Sequence, residues 1–242
     1  RQMCIRDRLK DVHTHIGAYH ILHGVNLQIP RGELTLLLGR NGAGKTTTLR
    51  TIMGLWQASQ GKIHFNGHDI TGMATPDIAS LNIAYVPENM GIFSDLTVEE
   101  NMLLAARKAT RATQIETDRL TWIYAMFPAV EKFWHHPAGK LSGGQKQMLA
   151  VARAMVEPRD LLIVDEPSKG LAPAIVQNMI EAFQKMKASG VTILLVEQNI
   201  HFAQQLGDSV AVMDNGRVIH AGSMAALSAD PTLQQSLLGL AL

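Results

Sequence analysis

Residues 34–47 read LTLLLGRNGAGKTT, an apolar run from Leu34 to Leu38 that feeds directly into a glycine-rich turn and then into threonines. A short aliphatic run closed by glycine reads as a buried strand. The turn carries the spacing G-x-x-x-x-G-K-T as Gly39, Gly44, Lys45 and Thr46. Glycines let backbone wrap an anion without Cβ clashes, so the N–H groups of Arg40, Asn41, Gly42, Ala43 and Gly44, with the N-terminus of the following helix, can point at phosphate. Lys45 then reaches the β and γ oxygens, Thr46 offers its hydroxyl to Mg²⁺, and Thr47 donates to the α-phosphate. A plain glycine turn before a helix is the bland reading; the constrained positions in strand-to-helix context favour nucleotide binding.

Working outward, further apolar runs bounded by turn residues read as strands at Ile83 to Val86, Leu161 to Val164, Thr192 to Val196 and Val210 to Met213. Between them, Ala174 to Ser189 places Val176, Met179, Ile180 and Phe183 on one helical face, opens after Pro173 and stops at Gly190. Strands that alternate with helices predict an α/β fold with a mostly parallel sheet. Pieces at Lys62 to Phe65 and Arg217 to His220, next to Asn66-Gly67 and Asn215-Gly216, predict a small antiparallel β addition. From Pro87 to Pro158 the pattern is almost wholly helical, an inserted subdomain placed at about residues 88–157.

The chain has 242 residues, 46% of them hydrophobic and 18% charged, which supports a sizeable core and excludes a disordered chain. A formal net charge of +1 leaves no basic excess for a phosphate backbone, so nucleic acid is not expected as a partner. The apolar runs are far too short to span a bilayer. The start, RQMCIRDR, lacks the apolar stretch of a secretory signal, and Cys4 is the single cysteine, so the expected location is cytoplasmic. Residues 1–8 look unlike a strand or a cap and are set apart as foreign or disordered, with one domain over residues 9–242.

The run LLIV at Leu161 to Val164 ends in Asp165-Glu166-Pro167, which puts two carboxylates at the C-terminal edge of a parallel sheet, where ligands of such sheets bind. Asp165 suits Mg²⁺ held through water; Glu166 suits a general base for the water that attacks the γ-phosphate. LSGGQ, from Leu141 to Gln145, precedes a helix whose Met148, Leu149, Ala152, Met155 and Val156 form an apolar stripe. Ser142 and Gln145 form a capping box. Gly143 and Gly144 weaken the first helical turn by roughly 1 kcal/mol each unless something approaches the backbone, and a second anion site is the natural explanation.

GRNGAGKTT, LSGGQ and LLIVDEP, in this order and spacing, resemble the ATP-binding subunits of ABC transporters across Leu9 to Leu242. The resemblance implies a P-loop NTPase core, ATP and Mg²⁺ as ligands, and two copies paired head to tail. Ser142 and Gly144 of one copy would then meet the γ-phosphate held by Lys45 of the other, with Gly143 and Gln145 as further nucleotide-binding positions. VPENMGIFSDLTVEEN (86–101), SKGLAP (168–173), VEQN (196–199) and the tail QQSLLGL (234–240) look like the smaller ATPase subunit of branched-chain amino-acid importers. That implies a cytoplasmic-face, peripheral subunit at the bacterial inner membrane that dimerises on ATP. Its expected partners are membrane permease subunits, an identical or different second ATPase and, indirectly, a solute-binding protein. Relatives in that group serve urea, short amides or other hydrophobic amino acids, so the solute is carried by resemblance alone. A soluble ABC clamp of translation or DNA repair is the rival class. It is disfavoured because the chain holds neither a second cassette nor a long coiled coil.

Three positions depart from the usual ABC pattern. Glu88 stands where glutamine is common, either as a further ligand to the metal or its water or as a solvated strand-end carboxylate. Gln198 stands where a switch histidine is usual; it can donate to the γ-phosphate but cannot titrate. The aromatic expected to stack on adenine aligns with Ile16, with Tyr19 three residues later. His13, His15, His20 and His23 have no metal-site spacing and read as surface residues of a strand and hairpin.

Overall fold

A computed structural model describes residues 7–106 and 115–239. Its N-terminal half runs β1 (Asp7–Ile16), β2 (Tyr19–Ile29), β3 (Leu34–Gly39), α1 (Lys45–Ile52), β4 (Ala58–Phe65), β5 (His68–Asp69), α2 (Thr75–Ser80) and β6 (Ile83–Val86). The helical stretch follows as α3 (Val98–Ala105), α4 (Thr117–Met126), α5 (Pro128–Lys132), a 3-10 turn and α6 (Gly143–Ala154). The chain then alternates through β7 (Leu161–Asp165), α7 (Pro173–Ala188), β8 (Thr192–Val196), α8 (Ile200–Leu206), β9 (Ser209–Asp214), β10 (Arg217–Ser223), α9 (Met224–Ala229) and α10 (Pro231–Leu238).

Two sheets form. The larger is six-stranded in the order β10-β9-β3-β8-β7-β6, parallel from β9 to β6; the smaller is the antiparallel β2-β1-β4-β5. Every residue of β3, β7 and β8 is buried, and period-two alternation divides their side chains between two cores. Leu36, Val164 and Leu195 face the core shared with the helices, whereas Leu37, Ile163 and Leu194 face the one shared with the antiparallel sheet. The C-terminal ends of β3 and β7 thereby lie along one edge of the sheet, with the phosphate loop and the acid pair directly after them.

Two sequence readings are corrected. Asp7 and Arg8, set apart as unlike a strand, already belong to β1, where they pair with Ile29 and Gln28 on β2. Arg8 also pairs with His64 on β4, and pairing on both sides overrides weak strand propensity. Residues 1–6 of that lead-in, and Leu240 of the tail, lie outside the described residues. The piece Arg217 to His220 is an antiparallel hairpin strand as expected, but it pairs with β9 and edges the main sheet instead of joining the antiparallel addition. Its Asn215-Gly216 turn, with φ of +45° and +72°, has the left-handed backbone that a tight hairpin needs.

Candidate nucleotide site

The phosphate loop is shaped by what its glycines exclude. At Gly39, φ is +147° and an added Cβ would come within 2.3 Å of the Met213 carbonyl oxygen. At Gly44, φ is +104° and a Cβ would lie 3.0 Å from Leu22 Cδ2. Any larger residue would push the loop away from β9 or from β2, so the glycines let it pack tightly as well as cradle an anion. Lys45 opens α1, is buried, and donates from Nζ to the carbonyls of Gly39 at 2.8 Å and Arg40 at 3.1 Å. Thr51 donates to the Thr47 carbonyl and meets Thr14 of β1 at 3.1 Å, which ties the antiparallel sheet to the helix carrying Thr46 and Thr47.

The two carboxylates of the acid pair sit in different surroundings. Asp165 is buried, and neither carboxylate oxygen completes a hydrogen bond. Burial holds its carboxyl above the usual range; the Thr46 hydroxyl and Arg50 pull the other way, and Glu166 and Glu88 add to the rise. A buried acceptor left in this state beside a threonine hydroxyl fits a divalent cation, so Asp165 and Thr46 suit Mg²⁺. Glu166 is also buried, with left-handed backbone at φ +48°, a conformation uncommon outside glycine, and its N–H donates to the Val196 carbonyl at 3.0 Å. Its Oε1 accepts from Gln198 Nε2 at 2.5 Å and lies 3.6 Å from Lys45 Nζ.

Gln198 Nε2 also donates to Asn41 Oδ1 at 2.7 Å, so the end of β8, the phosphate loop and the acid pair meet through side chains. A cavity of about 370 Å³ opens there, lined by Gly39, Arg40, Asn41, Gln198 and Leu238 among others. The chain as a whole has counterparts among known proteins. The family model described as ABC transporter matches residues 22–169. The high-affinity branched-chain amino acid transport ATP-binding protein BraG of Pseudomonas aeruginosa is 38% identical over 94% of this chain and 97% of its own length. The protein of Archaeoglobus fulgidus named "Probable branched-chain amino acid transport ATP-binding protein LivF" is 36% identical over 84% of this chain and 86% of its own. A solved ATP-binding subunit of an ABC transporter superposes with a TM-score of 0.79 at 31% identity, covering 97% of this chain and 95% of that one.

The chain belongs to the ABC transporter family.

It is an ATP hydrolase of that family, and the remaining candidates can be placed in the ABC cassette. LSGGQ leads into α6, with Ser142 as its N-cap, and α6 packs on α3, α5 and β6. The capping box is present: the Gln145 N–H donates to Ser142 Oγ at 3.3 Å and the Ser142 N–H to Gln145 Oε1 at 2.9 Å. The two glycines differ. A Cβ on Gly143 would meet nothing within 4 Å, whereas one on Gly144 would come within 2.6 Å of Ile175 Cγ2. Close packing against α7 therefore accounts for Gly144 within the chain, and Gly143 is the glycine with open space before it.

Glu88 is engaged by Lys169, whose Nζ donates to its Oε1 at 2.5 Å. Ile16 is half-buried at the end of β1 opposite Tyr19, which is 76% exposed. The histidines lie on the β1–β2 hairpin, with His13 and His20 ring nitrogens 3.0 Å apart and the His15 and His20 rings stacked at 4.2 Å. Among the described residues no group of three or more His, Cys, Asp or Glu side chains is arranged to hold a metal ion.

Sequence reasoning missed Glu197. It is buried and accepts from the Ser168 N–H and hydroxyl, both at 2.9 Å, and from the Gln198 N–H at 3.1 Å. It thus clamps the loop after Glu166 to the loop carrying Gln198. Its only signal in the sequence is a carboxylate directly after an apolar strand, the same signal that marks Asp165.

Proposed function

We propose that this ABC cassette binds ATP with Mg²⁺, pairs head to tail with a second ABC ATPase subunit, and powers a membrane permease that imports branched-chain amino acids. It sits peripherally at the cytoplasmic face of the bacterial cell membrane, and a solute-binding protein delivers the amino acid from the other side. Among the described residues no helix is long and apolar enough to cross a membrane. The observation that carries the chemistry is the meeting of Lys45, Glu166, Gln198 and Asn41 at one edge of the sheet. Likeness to proteins whose names assign them to branched-chain amino acid transport supports the solute.

In the reaction, water oxygen attacks the γ-phosphorus and the bond from that phosphorus to the β–γ bridging oxygen breaks, the electron pair leaving with ADP. Glu166 takes the water proton. Gln198 orients the Glu166 carboxylate through its 2.5 Å hydrogen bond. Lys45, now bonded to loop carbonyls, exchanges them for phosphate oxygens, a charge-assisted contact. Thr46 and Asp165 would hold Mg²⁺, which supplies neutralisation of charge on the β and γ phosphates. Gly143, at the open N-terminus of α6, offers a backbone that a second copy's nucleotide can approach.

In this reading the segment 88–100 carries the contact with the permease. Met90 and Ile92 pack partly against the cassette's own core, so the free apolar surface there is Phe93, 52% exposed. It is held rigidly: Asn101 exchanges hydrogen bonds with both the N–H and the carbonyl of Phe93, and Arg153 lies 5.5 Å over its ring. A groove of about 1090 Å³ adjoins it, lined by Arg50, Trp56, Tyr85, Met90 and Arg153 among others.

The test is to isolate the cassette with the membrane proteins that copurify and to measure ATP hydrolysis in vesicles supplied with solute and binding protein. Stimulation by leucine, isoleucine or valine supports the reading. Stimulation by urea or short amides alone would move the solute assignment, and a cassette with which no membrane protein copurifies, and whose hydrolysis no solute stimulates, would lose the transport role.

A further inference from the structure

Lys169 stands between two carboxylates, a position that no spacing in the sequence announces. Its Nζ is 2.5 Å from Glu88 Oε1 and 3.5 Å from Glu166 Oε2. On its other oxygen Glu166 faces Lys45 at 3.6 Å. Charges therefore alternate along Glu88, Lys169, Glu166 and Lys45, which come from the turn after β6, the loop after β7 and the phosphate loop. Lys169 and Glu88 are 58% and 46% exposed, and an exposed pair adds little to stability. Its consequence lies in the local potential, because Lys169 ties Glu88 to Glu166, the residue directly after Asp165, so three carboxylates gather at the sheet edge beside the phosphate loop.

We infer that Lys169 is a positioning residue that masks Glu88 from the bound polyphosphate and links the turn opening segment 88–100 to the hydrolytic carboxylate. The inference rests on the nucleotide-site reading. Without Lys169, an uncompensated carboxylate faces an anion of several charges, and that repulsion raises the cost of nucleotide binding most strongly when no metal neutralises the phosphates. The exposed ends of both side chains leave the fold intact when either is changed.

The test is calorimetry of ATP binding to the full chain in EDTA at low ionic strength. Lys169→Met should weaken binding roughly three- to tenfold, an effect that shrinks as salt shortens the screening length. Lys169→Arg should bind ATP within about twofold of the original chain, since the charge is kept. In a Glu88→Gln background, Lys169→Met should cost less than about twofold, because the carboxylate being masked is gone. An unchanged affinity for Lys169→Met, an equal loss for Lys169→Arg, or the same loss in both backgrounds would overturn the inference. Failure of the original chain to bind ATP would instead strike the nucleotide-site reading itself.

Discussion

Gln198 Nε2 lies 2.5 Å from Glu166 Oε1, and the same nitrogen reaches Asn41 Oδ1 at 2.7 Å. A residue that cannot titrate thus holds Glu166, the proposed general base, and the phosphate loop in one hydrogen-bonded unit. The carboxylate it orients is buried and carried on left-handed backbone. Its placement is therefore determined from both ends, by the main chain and by a neutral side-chain donor.

Glu166→Gln should keep ATP affinity and lose turnover by roughly 10² to 10⁴, the usual worth of general-base catalysis. Without the acceptor for the water proton the ATP-bound dimer should persist, visible as a stable higher-mass species in size-exclusion chromatography with ATP. Hydrolysis near the original rate would remove Glu166 from the chemistry.

The two glycines of LSGGQ should separate. Gly144→Ala drives a Cβ to 2.6 Å from Ile175 Cγ2, and overpacking of this kind costs about 1–3 kcal/mol, read as a lowered thermal midpoint. Gly143→Ala meets open space, so stability should hold or rise by up to about 1 kcal/mol from helix propensity. ATPase activity in Gly143→Ala should nevertheless fall at least roughly tenfold if the partner's nucleotide approaches that backbone, a loss of about 1.4 kcal/mol. Full activity would show that the second anion contact does not use Gly143.

Glu197 makes stability depend on pH in an unusual sense. Burial lifts its carboxyl above the ordinary glutamate range, against the hydrogen bonds from Ser168, Asn199 and Gln198 that pull it down. A folded value above the unfolded one means that the contribution is complete below the ordinary glutamate pKa of about 4.3 and declines as the pH rises through the folded value. The thermal midpoint of the original chain should therefore fall relative to Glu197→Gln as the pH rises above the ordinary glutamate value of about 4.3. Scanning calorimetry at constant ionic strength measures the gap, and a gap independent of pH would mean that the carboxyl is not raised.

Phe93→Asp should leave the isolated cassette folded and able to bind ATP, since the side chain is 52% exposed and surface changes usually stay within about 0.5 kcal/mol. Copurification with the permease should be lost, because an apolar anchor becomes a charge that must be desolvated on docking. Assembly and transport at the original rate would place coupling elsewhere.

The local parts of this ABC cassette were legible in the sequence. An aliphatic run ending in a glycine turn, carboxylates at a strand end, Asn-Gly before a reversal and a serine three residues ahead of glutamine each act through neighbours a few positions away. Their chemistry therefore follows from spacing alone. What the tertiary structure decided are the meetings across long stretches of chain: Lys169 with Glu88, Glu197 with Ser168, Gln198 with Asn41, Ile175 against Gly144, and Asp7 and Arg8 drawn into β1 by their pairing partners. Side chains such as lysine and glutamate look alike in sequence whether they face water or each other. Their roles here arise only once the sheet order brings the turns after β3, β6, β7 and β8 to one edge, where the ends of flexible side chains can reach one another.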